Sequence, residues 1–243
     1  MRPVLFTWRG RAVSSYAAML YLGIVVGLAA GNLAARANGL PTGRVYAATV
    51  ILLVPALLGA RLAYAAGHWS DFRADPGLLF RRSIGGQAML GGLVAAPVSI
   101  PLLAAFGVSF WAFWDVATFT MLTGMVFARG GCLLTGCCAG RPTDGRLGQV
   151  LPDHRGVRRR RVPTQLLEGL TAVLLLGLAV ALNARGLVPG SVFLAVLGAY
   201  GAVRLVLQGL REGRPAPGRV SMQRVASVSL IALAVSSASL RGL

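Results

Sequence analysis

All three cysteines of the chain, four glycines and two arginines fall within thirteen residues. The run is Arg129-Gly130-Gly131-Cys132-Leu133-Leu134-Thr135-Gly136-Cys137-Cys138-Ala139-Gly140-Arg141. Arginine presents a planar fork of donors that matches a phosphate. Glycine leaves the backbone bare, so a ligand can approach it closely. The run follows a long apolar stretch and leads into a polar one. These residue types at that boundary fit the head group of an anionic phospholipid. The cysteines admit several chemistries. A zinc site takes paired ligands, usually four. Here the spacing is C-x4-C-C and the nearest histidine, His154, sits in a basic loop, so the expectation is no metal and no cofactor. A thiol activated by arginine is chemically reasonable, yet no histidine base accompanies it. Packing of small, polarizable side chains in a tight turn is the simplest reading. It predicts that Cys138→Ala is tolerated.

Other ionisable groups interrupt apolar stretches, where they are costly and either paired or functional. Arg61 lies in Gly59-Ala60-Arg61-Leu62-Ala63-Tyr64, Asp115 follows Trp114, and Glu168 closes Pro163-Thr164-Gln165-Leu166-Leu167-Glu168. Either Asp115 or Glu168 can neutralise Arg61, Arg129 or Arg204 in a structural ion pair. Tyr200 and Arg204 are four residues apart and share a helix face. Gln208 and Arg211 extend that face, giving a stripe better suited to a polar cavity than to lipid. Tyr16, beside Ser14 and Ser15, reads first as an interfacial anchor. The pairs Gly85-Gly86 and Gly91-Gly92 fit either close helix packing or a backbone kept bare for a head group.

The elements that position these groups are membrane spans. Of 243 residues, 56% are hydrophobic and 13% charged, with a mean hydropathy of +0.69. So few charges cannot solubilise so much apolar surface, which excludes a soluble globular protein. A spanning helix needs about 20 apolar residues. Seven stretches come close, at 13–34, 46–66, 88–106, 108–127, 163–182, 190–210 and 225–240. The fold expected is all-α, polytopic, with about seven transmembrane helices in a single integral membrane domain over 1–243. Pro97 and Pro101 should kink or break the third helix. A very short turn should join the third and fourth. The first stretch is long enough to anchor rather than to be cleaved.

The net charge is +17 and every basic residue is arginine. Since the arginines lie between apolar spans, phospholipid is the expected anionic partner and nucleic acid is not. Eighteen arginines fall on one face of a seven-span arrangement against four on the other. By the positive-inside rule that places the N-terminus in the cytoplasm.

Taken together, these residues resemble the prolipoprotein diacylglyceryl transferase family over nearly the whole chain. Tyr16, with Met19 and Tyr21, is similar to the family's first-span tyrosine motif. Residues 59–64 are similar to its Gly-x-Arg-Leu-x-Tyr element, and 76–93 to its Pro…Gly-Gly…His-Gly-Gly-Leu segment. Asp115 stands fourteen residues before Arg129, as in the family, and 129–140 occupies the place of Arg-x-Gly-Asn-Phe-x-Asn-Gly-Glu-x-x-Gly. Residues 163–168 resemble Pro-Ser-Gln-Leu-Tyr-Glu, Tyr200-Gly201-x-x-Arg204 the penultimate-span motif, and Ser221-Met222-x-x-Val225 the start of the last helix. The chain also departs from the pattern. Leu90 replaces the family histidine; Cys132, Thr135 and Cys137 replace Asn, Asn and Glu; Gln208 and Val162 replace Glu and His.

The resemblance implies a multi-pass enzyme of the bacterial plasma (inner) membrane, acting in lipoprotein biosynthesis without a cofactor. Its reaction would move a diacylglyceryl group from phosphatidylglycerol to the lipobox cysteine of a prolipoprotein. Partners would be phosphatidylglycerol and other anionic phospholipid, and the prolipoprotein signal peptide. It implies a catalytic set of Arg129, Arg204, Tyr16 and Tyr200. A substrate-binding set would hold Arg61, Gly91, Gly92, Asp115, Gly131, Gly140, Gln165, Glu168 and Arg211. With the family histidine lost, Tyr16, Tyr200 or a cysteine would have to take the thiol proton. Family topology puts the N-terminus outside, opposite to the arginine count. The alternatives are a relative that binds phospholipid without catalysis and a small-solute transporter; the absence of an internal repeat counts against the latter.

Overall fold

A computed structural model describes residues 4–8, 11–67, 69, 73, 75, 77, 88–146, 148–152, 157–211 and 222–240. Of the residues used above, 76, 78–87, His154 and Ser221 lie outside them. Seven helices form among the described residues: α1 (Ser15–Ala37), α2 (Thr42–Gly67), α3 (Ala88–Phe106), α4 (Phe110–Thr135), α5 (Thr164–Asn183), α6 (Ser191–Gln208) and α7 (Met222–Leu240). Five are long and apolar enough to cross a membrane: α1, Thr42–Leu62 within α2, α4, α5 and α6. Shorter apolar stretches, Ala95–Phe106 and Arg224–Leu240, lie within α3 and α7. In hydrocarbon every backbone group must be paired within its own segment, and a helix does that for an uninterrupted apolar run. The chain is a multi-span membrane protein.

Two short antiparallel hairpins accompany the helices. Strand β1 (Val4–Trp8) pairs with β2 (Arg11–Ser14), and β3 (Gln149–Pro152) with β4 (Arg158–Arg161). The arginine run is therefore a strand, in register from Gln149↔Arg161 to Pro152↔Arg158. Three of its arginines are exposed, and Arg161 is buried with Nη1 donating to Gly140 O at 3.4 Å.

The contacts divide the chain into two compact units, Met1–Ala34 with Trp114–Leu243, and Ala35–Phe113. In the second unit α2 packs along α3. Helix α3 continues unbroken through Pro97 and Pro101, and α2 likewise contains Pro55. A membrane helix tolerates proline where neighbouring groups take up the freed carbonyls, in α3 those of Leu93 and Pro97. Gly107, at φ +64°, ends α3, and residues 107–109 lead directly into α4.

In the first unit α1 meets α4 through Gly23, Gly27 and Gly31. A Cβ on Gly27 would stand 2.7 Å from Thr120 O, and one on Gly23 2.9 Å from Phe127 Cβ. Small residues every fourth position let two backbones approach within a bilayer. Helix α5 packs on α6, and α6 on α7, where a Cβ on Gly201 would reach Ile231 at 2.8 Å. These contacts gather the ends of α1, α4, α5 and α6 that carry the chemistry.

Candidate functional site

Helix α4 runs two turns further than the apolar stretch predicts. It extends past Phe127 to Thr135, so Arg129, Gly131 and Cys132 sit on a helix rather than in a loop. At 1.5 Å per residue its 26 residues span roughly 39 Å, more than the ~30 Å hydrocarbon core. Such a helix extends beyond the hydrocarbon at one end or both.

One buried carboxylate organises this end. Glu168, on the first turns of α5, has a side chain only 2% exposed. Arg204 Nη1 meets its Oε1 at 2.5 Å, Arg129 Nη2 its Oε2 at 2.6 Å, and Arg211 Nη2 its Oε1 at 3.1 Å. Among the described residues three guanidiniums share this one carboxylate, an excess of two positive charges. Burial lowers the Arg211 pKa, and the repulsion of Arg204 and Arg129 adds to this against the pull of Glu168. Arg204 Nε and Arg211 Nε are buried with no hydrogen-bond partner among the described residues. Exposure rises from Arg204 at 8% to Arg129 at 20% and Arg211 at 22%, so the outer two guanidiniums are open to a ligand.

Arg211 reaches this group from outside the helix that was expected to carry it. Helix α6 ends at Gln208, and the backbone tightens through Gly209 N–H to Val206 O and Leu210 N–H to Leu207 O. Arg211 then bridges to Gly140. Gly140 N–H donates to Val162 O, and Arg141 N–H to Leu210 O, both at 2.9 Å. A Cβ on Gly140 would stand 2.7 Å from Leu210 O and 2.8 Å from Val162 O. One on Gly131 would stand 3.1 Å from Met19 Cβ and 3.2 Å from Tyr16 Cα. At both glycines an added side chain would meet neighbouring protein atoms, so close packing alone favours glycine there. The same contact puts Tyr16, half exposed on the first turn of α1, beside the start of the cysteine run. Tyr200 lies one turn before Arg204 on α6, within electrostatic reach of Arg129.

Gln165 turns inward to hold the cysteine turn. Its Nε2 donates to Cys137 O, and Thr164 Oγ1 to Cys138 O, both at 2.7 Å. The polar contact assigned to Gln165 as a substrate ligand is thus used, on its nitrogen, by the protein itself. Thr164 drew no notice in the sequence, since its role depends on a carbonyl 26 residues away. The three cysteine sulfurs converge within 4.8 Å of one another. The Cys137 thiol is pulled below its usual range by hydrogen bonds from Cys132, then from Cys138, with Thr135 adding to them.

Asp115 stands elsewhere. Fourteen residues along a helix are roughly 21 Å, so Asp115 and Arg129 share a face of α4 but not a site. Its Oδ2 accepts from Gly190 N–H at 2.5 Å and its Oδ1 from Phe193 N–H at 2.8 Å. The first N–H groups of a helix have no partner in their own helix, and Asp115 supplies one to α6 from a different helix. In the structure Asp115 caps this helix with both carboxylate oxygens. Asp115→Ala should cost about 1–2 kcal/mol of stability, read as a lower unfolding temperature in detergent, while folded protein keeps its KM for phospholipid. A raised KM at unchanged stability would contradict this. Arg61, near the end of α2, and Gly91 and Gly92, in α3, belong to the other compact unit.

Comparison with known proteins bears on this arrangement. The family model described as prolipoprotein diacylglyceryl transferase matches residues 3–239. The chain is similar to phosphatidylglycerol–prolipoprotein diacylglyceryl transferase 2 of Clostridium perfringens (strain 13 / Type A), with 28% identity over 156 residues. That match covers 63% of this chain and 60% of the relative. The transferase of Bacillus cereus (strain G9842) is 28% identical over 231 residues, 90% of this chain and 84% of the relative. That of Shouchella clausii (strain KSM-K16) is 29% identical over 211 residues, 82% and 75% of the two chains. A multi-span helical chain with arginines from three segments gathered on one buried glutamate, matched from residue 3 to residue 239, belongs to the prolipoprotein diacylglyceryl transferase family.

Proposed function

We propose that this chain transfers the diacylglyceryl group of phosphatidylglycerol to the thiol of a prolipoprotein lipobox cysteine, in the bacterial plasma membrane. The observation that carries this reading is the Arg129–Arg204–Arg211 group around Glu168, with two positive charges in excess among the described residues. A phosphodiester monoanion supplies the missing charge and accepts from guanidinium N–H groups in pairs. In the reaction the cysteine sulfur bonds to the glyceryl carbon and the carbon–oxygen bond to phosphate breaks. Its electron pair leaves on glycerol phosphate, and the thiol proton is released. The leaving group gains a negative charge as the bond breaks, so fixed cations around it stabilise the transition state more than the ground state. Arg204, the most buried of the three, is already oriented by Glu168 and needs no reorganisation. Tyr16 and Tyr200 are assigned to the substrate's polar atoms, since both lie within electrostatic reach of Arg129.

Complementation tests the reading. Expressed in a strain depleted of its own transferase, the chain should restore thioether-linked diacylglyceryl on a lipobox reporter, seen by mass spectrometry. Membrane-inserted protein that leaves the reporter unmodified would reject the proposal.

A further inference from the structure

The cysteine cluster is not used by the phosphate site. All three cysteines are free thiols, contributed by the last turn of α4 and the turn after it. Zn–S bonds of about 2.3 Å place sulfurs roughly 3.8–4.0 Å apart in tetrahedral or trigonal groups. Sulfurs already within 4.8 Å of one another lie within about an ångström of that geometry. C-x4-C-C is not a paired zinc spacing in sequence, but the three sulfurs converge in space, and a metal there would replace the packing role under which Cys138→Ala is tolerated. On the helix Cys132 points to the turn that presents Cys137 and Cys138, and Cys137 N–H donates to Cys132 O at 3.1 Å.

The turn is built for this convergence at some cost. Cys138 has φ +62°, the only positive φ at a non-glycine position among the described residues, and Gly136 has φ +75°. A side chain held in that region costs about 1–3 kcal/mol and persists only where its surroundings enforce it. Gln165 and Thr164 enforce it through the carbonyls of Cys137 and Cys138. Thr135 Oγ1 lies 3.3 Å from Cys137 Sγ, an orienting contact beyond the sulfurs themselves. The electrostatics agree. Zinc with three thiolates carries one net negative charge, and Cys138 is within electrostatic reach of both Arg129 and Arg211. Among the described residues no fourth His, Cys, Asp or Glu joins the cluster. Three protein ligands and an open position distinguish a zinc that acts on substrate from one that only holds structure.

We infer that Cys132, Cys137 and Cys138 bind a zinc ion whose open fourth position takes the thiol of the acceptor cysteine. The choice of acceptor rests on the transfer reaction proposed above. A thiol that coordinates zinc gives up its proton, here to solvent. The bound thiolate attacks the glyceryl carbon, the C–S bond forms, the C–O bond breaks, and glycerol phosphate leaves with the electron pair. Zinc stays divalent throughout. This supplies the deprotonated nucleophile in a chain with Leu90 where its family is expected to have histidine.

The test uses full-length protein purified in detergent under reductant. Elemental analysis should find about one zinc per chain, lost in Cys138→Ser, whose side chain is exposed enough to spare the fold. Cobalt substituted for zinc should show sulfur-to-metal charge-transfer bands. These should rise by about a third, three thiolates becoming four, when a lipobox peptide is added, and not with its Cys→Ser counterpart. Reduced wild-type protein that neither retains nor takes up zinc would overturn the inference. So would zinc retained undiminished in Cys138→Ser, or cobalt bands that ignore the peptide thiol. Undiminished transfer by zinc-stripped protein would reject the metal's role and leave the transferase reading standing. Thiol ligation without any transfer would uphold the site and reject the transferase reading.

Discussion

Glu168→Gln lowers the unfolding temperature more than any other single change in the site. The substitution keeps shape and removes the one carboxylate that Arg129, Arg204 and Arg211 share. Breaking a buried ion pair from one side costs about 3–5 kcal/mol, because the remaining charge is left uncompensated. Here three guanidiniums are left facing one another. For a chain of this size the cost corresponds to a fall of roughly 6–20 °C, measured by thermal unfolding in detergent. Two controls keep the expectation specific. Glu168→Asp retains the charge with a shorter reach and should fall between wild type and Glu168→Gln. Millimolar phosphate should raise the melting temperature of both proteins, and more so in Glu168→Gln, where the added anion also replaces the missing carboxylate. An unchanged melting temperature in Glu168→Gln would show that the three arginines do not depend on it.

Arg204→Ala has the opposite signature, with fold retained and turnover lost. Glu168 keeps Arg129 and Arg211 as partners, so no carboxylate is stranded. What disappears is the most buried fixed cation of the group. Removing one donor from a preorganised anion site lowers kcat by about 100–1,000-fold. Arg204→Lys should recover little, because a point charge cannot place two donors on phosphate and reach Glu168 together. Transfer of labelled diacylglyceryl to a lipobox peptide, alongside a melting curve, separates this from misfolding. Full activity in Arg204→Ala would remove the clamp from the mechanism.

The same geometry bears on the distribution of arginines. Arg129 and Arg211 are held by Glu168, and Arg161 is buried against Gly140. Arginines committed to internal pairs belong to the site, and they weaken a loop count that assumes each arginine faces solvent. Arg158, Arg159 and Arg160 remain exposed on β4 and keep their weight in it.

The helices were legible because the signal is local. An apolar run of bilayer length has one way to satisfy its backbone, so the approximate positions of α1–α7 follow from composition alone. The arginines and Glu168 were legible as well, since an ionisable group in such a run requires a partner. The ends of elements were harder to place. Helix α4 continues past Phe127 because backbone hydrogen bonding, unlike hydropathy, does not stop where polar residues begin. The hairpins were not foreseen, for an arginine run carries no alternation that would mark a strand.

The sequence by itself determined a polytopic helical membrane protein, its family, and the residue types that meet an anionic head group. Tertiary structure alone decided who meets whom. Glu168 rather than Asp115 gathers the arginines, because fourteen residues of helix carry Asp115 roughly 21 Å away to the N-terminus of α6. Glycines 131 and 140 serve packing because neighbouring backbones fill their open side. Three cysteines that look unpaired on paper become one cluster because a left-handed turn, held by Gln165 and Thr164, folds two thiols back onto a helix. Partners distant in sequence leave no local periodicity to read, so only the folded chain brings their chemistry together.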